Sequence, residues 1–255
     1  MQYRVAAGDM GDANTGKAVL PIQARGMCVS RDGRTILDAV DLEISARPIT
    51  TVILGPNGAG KSLLVRFLAG LLKPDKGNVT WGNSLPARAR ASKIGFVFQR
   101  PVLLRRTAAE NIEFALAITG TEKGERRQRA LEILSNAGLG HLAKTHSEVL
   151  SGGEQQCIAL LRAMACNPDI FLLDEPTSNL DPASVAAIER MLGELRGRGI
   201  PVVLITHDLG QARRLADDVI FMHRGRILER TPAEAFFNAP QSREAASYIN
   251  GEIVL

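Results

Sequence analysis

The chain has only three cysteines, Cys28, Cys157 and Cys166, too few and too unevenly spaced for a disulfide framework or a CxxC metal pair. They read as small, buried, reduced thiols in a reducing compartment. No apolar run approaches the ~20 residues that span a bilayer. Between Met1 and Lys17 the chain places Gly8, Asp9, Gly11 and Asp12 where a secretory signal needs an apolar centre. A cytoplasmic chain is therefore expected, and any membrane link must come through a partner. A net charge of +4 is too mild to argue for nucleic acid, and none is expected as a partner. Internal repeats and sustained heptads are also missing. What is there is ordinarily globular, 45% hydrophobic and 23% charged over 255 residues, enough for one large domain or two small ones with a proper core.

The pattern alternates strands with helices, which predicts a mostly parallel sheet covered on both faces. Residues 1–22 read as a small, polar, flexible tail, and Gly16-Lys17 belongs to it, having no strand before it. Gln23–Ser30 and Ile36–Ile44 alternate as strands around an Asp32-Gly33 turn. Asn78–Trp81 and Ile94–Phe98 read as further strands. Thr107-Ala108-Ala109-Glu110 is a capping box that opens a helix through Ile118. Two more helices are expected over Glu125–Ala137 and Leu139–Lys144. This block, from about 100 to 160, reads as a helical insertion between two halves of an α/β core. Glu154–Ala165, Pro182–Arg198 and Asp208–Ala216 read as helices. Ile170–Asp174 and Pro201–Thr206 read as strands, and Val219–Met222 with Arg226–Glu229 as a hairpin.

The stretch that organises the chain is Gly55-Pro56-Asn57-Gly58-Ala59-Gly60-Lys61-Ser62, a GxxxxGK[ST] phosphate-binding loop. A buried strand, Thr50–Leu54, precedes it. A helix is expected over Ser62–Leu72, with Leu64, Leu68 and Leu71 on one face. The glycines let backbone N–H groups point at an anion, and the helix start adds its dipole. Lys61 would reach the β- and γ-phosphates of ATP, and the Ser62 hydroxyl would bind Mg²⁺.

Ile170–Leu173 delivers Asp174 and Glu175 to the same sheet edge. Successive strand side chains point opposite ways, so the two acids need different jobs. Asp174 suits the metal and Glu175 suits polarising an attacking water. In Leu150-Ser151-Gly152-Gly153-Glu154-Gln155-Gln156, a serine and two glycines open a helix and so offer a second anion site. One nucleotide needs one γ-phosphate cradle in its own chain, so the second makes sense acting on ATP held by another copy.

These residues resemble the ATP-binding-cassette (ABC) ATPases over nearly all of Gln23–Leu255. Gly55–Ser62 and Ile170–Glu175 are similar to the two Walker motifs, and Leu150, Ser151, Gly152, Gly153, Glu154 and Gln155 to the signature. Gln99 falls at the Q-loop, Ser178, Asn179, Leu180 and Asp181 at the D-loop, and His207 at the switch histidine. The resemblance implies a RecA-like P-loop NTPase core with an N-terminal antiparallel β-subdomain and an inserted α-helical subdomain, 23–255 forming one such domain. It implies ATP and Mg²⁺ as cofactors, with Gln99 joining Ser62 and Asp174 at the metal. His207 would hold the γ-phosphate and the attacking water. It further implies a head-to-tail homodimer that sandwiches two ATPs, coupled to integral membrane permease subunits and, through them, to an extracytoplasmic solute-binding protein. The chain would then sit peripherally on the cytoplasmic face of the inner membrane.

Two positions depart from the family pattern. An aromatic that stacks on adenine is usual near Arg31, where Val29-Ser30-Arg31-Asp32-Gly33 has none. Arg31 either stacks through its planar guanidinium or is a solvated turn residue. Cys157 stands where relatives commonly carry arginine. A finer resemblance, carried by Gln99–Arg106 and by Pro240-Gln241-Ser242 with Asn250-Gly251-Glu252, points to oxyanion importers, and Val102-Leu103-Leu104-Arg105-Arg106 to tungstate rather than phosphate or a polar amino acid. Val102, Leu103 and Leu104 either form an exposed docking patch or are buried in the helical block. The competing classes are a soluble ABC ATPase acting on ribosomes or DNA, and a P-loop kinase, which has no use for the signature or His207.

Overall fold

The computed structural model describes residues 19–82, 85–86 and 90–252. Most of the predicted tail lies outside them. Its last residues do not behave as a tail, because Val19 and Ile22 are fully buried and the Val19 N–H donates to Asp169 Oδ2 across 150 positions of sequence.

Two sheets form. β1 (Ile22–Arg31) pairs antiparallel with β2 (Arg34–Ile44) and with β4 (Lys76–Trp81) in a three-stranded sheet. Asp32 and Gly33 both take positive φ, 50° and 73°, as the tight turn between β1 and β2 requires. The second sheet has six strands in the order β5-β6-β7-β3-β8-β9. It contains β3 (Thr50–Leu54), β5 (Ile94–Val97), β6 (Ile170–Asp174), β7 (Val202–Ile205) and β8 (Asp218–His223), all parallel, with β9 (Arg226–Pro232) antiparallel at the edge.

The central strands are buried on both faces, which explains their unbroken apolar runs. On one face Ile53, Leu172, Val203 and Ile220 pack with Leu64, Val65, Phe67 and Leu68 of α1 (Lys61–Leu68) and with the inner side of the β1 sheet. On the other, Val52, Leu54, Leu173, Leu204 and Phe221 join the remaining helices. Between β5 and β6 come α2 (Ala108–Ile118), α3 (Lys123–Asn136), a 3-10 turn over Gly140–Leu142, and α4 (Gly152–Ala165). Then follow α5 (Pro182–Gly197), α6 (Leu209–Leu215), α7 (Ala233–Asn238) and α8 (Arg243–Ile249).

The helix after the phosphate loop stops four residues before the expected end. Gly70, at φ 70°, ends it as a Schellman cap: Leu71 N–H bonds to Arg66 O at 3.0 Å and Gly70 N–H to Phe67 O at 2.8 Å. The Trp81 indole N–H takes the Leu68 carbonyl at 2.7 Å. Leu71 therefore leaves the core face where its spacing put it and is 51% exposed. The sequence pattern also missed α7 and α8, which are short and lack a long apolar period.

Candidate functional site

The phosphate loop leaves β3 at the point where β3 is hydrogen-bonded on both sides, by β7 and β8. Gly55, at φ 142°, passes so close to β8 that a β-carbon there would stand 2.0 Å from the Met222 carbonyl oxygen. Gly60, at φ 94°, caps α1 against Ile36 and Leu37 of β2. Gly58, at φ 80°, faces open space, so its glycine serves backbone conformation alone.

Lys61 is 6% exposed, and its ammonium donates to the carbonyls of Gly55 at 2.6 Å and Pro56 at 2.9 Å. Burial lowers its affinity for a proton, while the charges of Glu175 and Asp174 oppose that loss. The next residue, Ser62, donates its hydroxyl to Asp174 Oδ1 at 2.7 Å. Asp174 is fully buried, and its second oxygen lies 3.5 Å from the Arg66 guanidinium.

Glu175, the residue after β6, lies in the left-handed region, φ 46°, an uncommon conformation for a non-glycine residue. It turns the carboxylate into a pocket lined by Gly55, Pro56, Asn57, Gln99, Ser178, Asn179, His207 and Tyr248. One oxygen, Oε2, gathers three neighbours: it accepts from Ser178 Oγ at 2.7 Å and from Gln99 Nε2 at 3.1 Å, and His207 Nδ1 lies 3.3 Å away. Gln99, 76 positions from Glu175, thus meets Ser178 and His207 on one atom. Such a cluster can hold an anion at the glycine loop, a hard cation between Ser62 and Asp174, and a water against Glu175.

Other predicted site residues stand outside this pocket. Ser151 caps α4 in a capping box, accepting from Glu154 N–H, while Glu154 Oε2 accepts from Ser151 N–H at 2.7 Å. Ser151 and Gly152 are exposed, Gly153 and Leu150 are buried, and Gln155 spends its amide on the Ser147 and Leu150 carbonyls. None of Leu150–Gln155 lines the pocket of Glu175. Asp181 caps α5, accepting from Ala183 and Ser184 N–H at 3.0 Å each, and the Ser184 hydroxyl chiefly holds its carboxyl below the usual range. Leu180 packs on the core. Arg31 is not in the pocket lining either: its guanidinium pairs with Asp75 at 3.2 Å. The position of Cys157 is buried, and burial pushes its thiol up to about 11.

A second cleft, of about 490 Å³, lies beside α2 and α4 and is lined by Leu71, Val102, Leu103, Leu104, Phe114 and Ile118 among others. Val102 is 62% exposed and Ile118 58%, whereas Leu103 packs partly against the core. One pocket residue carried no sequence signal. Tyr248 belongs to no phosphate-site motif, and only its placement by α8 brings it to Gly55 and Glu175.

The family model described as ABC transporter matches residues 37–178. The phosphate import ATP-binding protein PstB 2 of Natronomonas pharaonis is 38% identical over 239 residues, 88% of this chain and 84% of its own. The tungstate uptake system ATP-binding protein TupC of Peptoclostridium acidaminophilum is 37% identical, covering 82% of this chain and 95% of its own. The L-cystine transport system ATP-binding protein TcyN of Escherichia coli K12 is 34% identical, over 89% and 96%. Among solved structures, the dimeric post-hydrolysis ATP-binding cassette MJ0796 bound to ADP and Pi superposes with a TM-score of 0.73 at 32% identity, covering 83% of this chain and 98% of that one.

Proposed function

Because this chain belongs to the ABC transporter family, we propose that it is the ATP-hydrolysing subunit of a membrane importer, working through partner permease subunits. The observation that carries this reading is the convergence of the glycine loop, Glu175, Gln99 and His207 on one pocket, with Asp174 bonded to Ser62 at the end of that loop. Among the described residues no helix is long and apolar enough to cross a membrane, which fits a subunit bound peripherally, on the cytoplasmic face.

In this reading the backbone N–H groups of Gly55–Ser62 and the Lys61 ammonium hold the phosphates of ATP. Lys61 leaves its two carbonyl partners for phosphate oxygens, whose charge keeps it protonated despite burial. A hydroxyl and a carboxylate 2.7 Å apart fit a small hard cation, so Ser62 and Asp174 would hold Mg²⁺, with the Gln99 side chain beside them. When bound, the ion neutralises charge shared by the β- and γ-phosphates. Glu175 orients and polarises the attacking water, and His207 secures it against the γ-phosphate. Ser178 and Asn179 sit at the same mouth, where Ser178 and Gln99 fix the rotamer of Glu175.

The exposed Ser151-Gly152 turn, outside the pocket, supports a homodimer in which each signature closes on the ATP of its partner. Mixing a Lys61→Ala chain with a Ser151→Arg chain tests this, since only the mixed dimer contains one intact composite site. ATPase should reappear on mixing. If either variant alone is fully active, the composite site is wrong.

The solute reading is finer. Phosphate- and tungstate-type relatives support an oxyanion, with tungstate favoured by Val102–Arg106, and a solute-binding protein outside the membrane would deliver it. A cystine-system relative at 34% identity lies close to them in similarity. Affinity purification from detergent-solubilised membranes tests the whole reading. Co-purifying permease subunits support it, and uptake by the recovered complex identifies the solute. Recovery of ribosomes instead would sink it.

A further inference from the structure

Behind the pocket of Glu175 lies a buried amide that none of the sequence motifs supplies. Gln211 of α6 is 1% exposed, and neither it nor its side-chain partners line the pocket. Its Oε1 accepts from the Thr177 hydroxyl at 3.1 Å, across 34 positions of sequence. Its Nε2 donates to Glu189 Oε1 of α5 at 3.1 Å. Arg214 holds the same carboxylate with two nitrogens, Nη2 on Oε1 at 2.7 Å and Nε on Oε2 at 3.3 Å. Arg214 first, and the Gln211 bond after it, keep the Glu189 carboxyl below its ordinary range against the opposing effect of burial. An ionised carboxylate offers acceptors only, so the Gln211 nitrogen faces Glu189 and its oxygen is left for Thr177.

These bonds end on the segments that carry the hydrolysis residues. Thr177 lies two positions after Glu175 and one before Ser178. Gln211 lies four positions after His207, on the helix that Asp208 opens by accepting from Gln211 N–H at 2.9 Å. A bond from Glu175 N–H to the Ile205 carbonyl at 3.1 Å joins the ends of β6 and β7, and past it both chains leave the sheet. The Thr177–Gln211 bond ties them again, outside the pocket. ATP entering the pocket therefore displaces neither partner. The loop needs such a tie, because Glu175 and Asn179 both take left-handed φ, 46° and 60°. Non-glycine residues keep such conformations where the surrounding structure over-determines them. Ser178 and Gln99 hold the Glu175 side chain, whereas Gln211 fastens the loop that carries it.

We propose that Gln211 is a positioning residue for ATP hydrolysis: its amide fastens the Glu175–Ser178 loop to the helix behind His207, so that carboxylate and histidine keep their spacing across the attacking water. A misplacement of about 1 Å is enough to slow a reaction by orders of magnitude, even when the change lies away from the chemistry.

This inference rests on the ATPase reading, and two measurements on the full chain keep them separable. Thr177→Val keeps the shape of the side chain and removes the hydroxyl, Thr177→Ser keeps the hydroxyl, and Gln211→Met keeps the length and removes the amide. Assayed well below Tm, Thr177→Val and Gln211→Met are each expected to lower kcat at least about five-fold, the worth of one ordinary hydrogen bond, with KM for ATP changed less than about two-fold. The double variant should be little slower than the slower single one, since both remove the same link. Thr177→Ser should stay within about two-fold of native. If Gln211→Met does not fold, the two Thr177 variants carry the test. A merely structural tie would lower Tm and leave kcat of the folded chain native. The second measurement is free of hydrolysis. The ring ¹⁵N signals of His207, assigned by their loss in His207→Ala, should move in Thr177→Val and stay in Thr177→Ser. A native kcat in the folded Thr177→Val chain, single effects that simply multiply, or unmoved His207 signals overturn the role of Gln211 and leave the ATPase reading standing. A native chain without ATPase sinks that reading, while the His207 signals still decide whether the tie reaches the histidine.

Discussion

Gly153 of α4 lies directly against Ser184 of α5: a β-carbon on Gly153 would stand 2.0 Å from Ser184 Oγ and 2.6 Å from Ser184 Cβ. The two glycines of the signature therefore differ in kind, since Gly152 faces open space. Turning the serine hydroxyl away cannot relieve the clash, because its β-carbon is fixed to the helix. Gly153→Ala is expected to destabilise the chain by about 1–3 kcal/mol, the usual cost of overpacking, and Ser184→Gly in the same chain to restore part of it. Gly152→Ala should leave the Tm of the free chain near native. Thermal unfolding of the four proteins checks this.

Glu175 carries three neighbours on one oxygen in the pocket beside the glycine loop. Glu175→Gln should keep ATP binding yet slow turnover by orders of magnitude. It should also accumulate an ATP-bound dimer visible by size exclusion. Near-native turnover would remove Glu175 from the catalytic role.

The half-packed state of Leu103 moves the docking test to its neighbour. Val102, 62% exposed, can be changed without touching the core. Val102→Asp should spare the ATPase of the isolated subunit and abolish uptake in cells, while Leu103→Asp should lower Tm as well. Unchanged uptake in the Val102 variant would take the cleft beside α2 out of coupling.

Arg31 is ordered by Asp75, whose carboxyl is held below the usual range first by the Ser30 N–H and then by Arg31. A guanidinium already held in place loses less entropy on stacking over a base, and stacking ignores base identity. GTP should then support hydrolysis within about ten-fold of ATP. Arg31→Tyr should tighten ATP by on the order of 1 kcal/mol, and Arg31→Ala should weaken it by less. Nucleotide titrations decide, and a hundred-fold preference for ATP would leave Arg31 as a turn residue.

Cys157 supplies a pH signature. Burial raises its thiol from an ordinary 9.0 to about 11, with Asp181 adding to the shift. The folded chain thus holds this proton more tightly than the unfolded one. The associated stability is complete below pH 9 and is lost as pH climbs towards 11. Cys157→Ala should flatten that part of the stability curve. At pH 8 a thiol reagent should reach Cys157 only as the protein unfolds.

Much of the scaffold was legible in the chain because it rests on local rules. The bounds of β3, the Thr107 cap and the Asp32-Gly33 turn follow from burial period, capping and backbone sterics. The glycine loop, Asp174 and Glu175 are legible from motifs at recognisable strand ends, whereas His207 is legible only through the resemblance to ABC ATPases. The leucine spacing alone carries α1 past its true end, because Gly70 takes φ 70° and closes a Schellman cap there, with Trp81 taking the Leu68 carbonyl from another strand.

The amino-acid sequence by itself determined the alternation of strands and helices and which residue types stand at the phosphate loop, for each is a matter of neighbours a few positions apart. Only the tertiary structure decided that Gln99 and His207 share one oxygen of Glu175, that Gly153 packs while Gly152 stays free, that Arg31 pairs with Asp75, and that Tyr248 lines the pocket with Gly55. Each of these joins residues far apart in the chain. They meet because a parallel sheet gathers its strand ends at one edge and the helices pack where their apolar faces are buried, and no local periodicity encodes such a meeting.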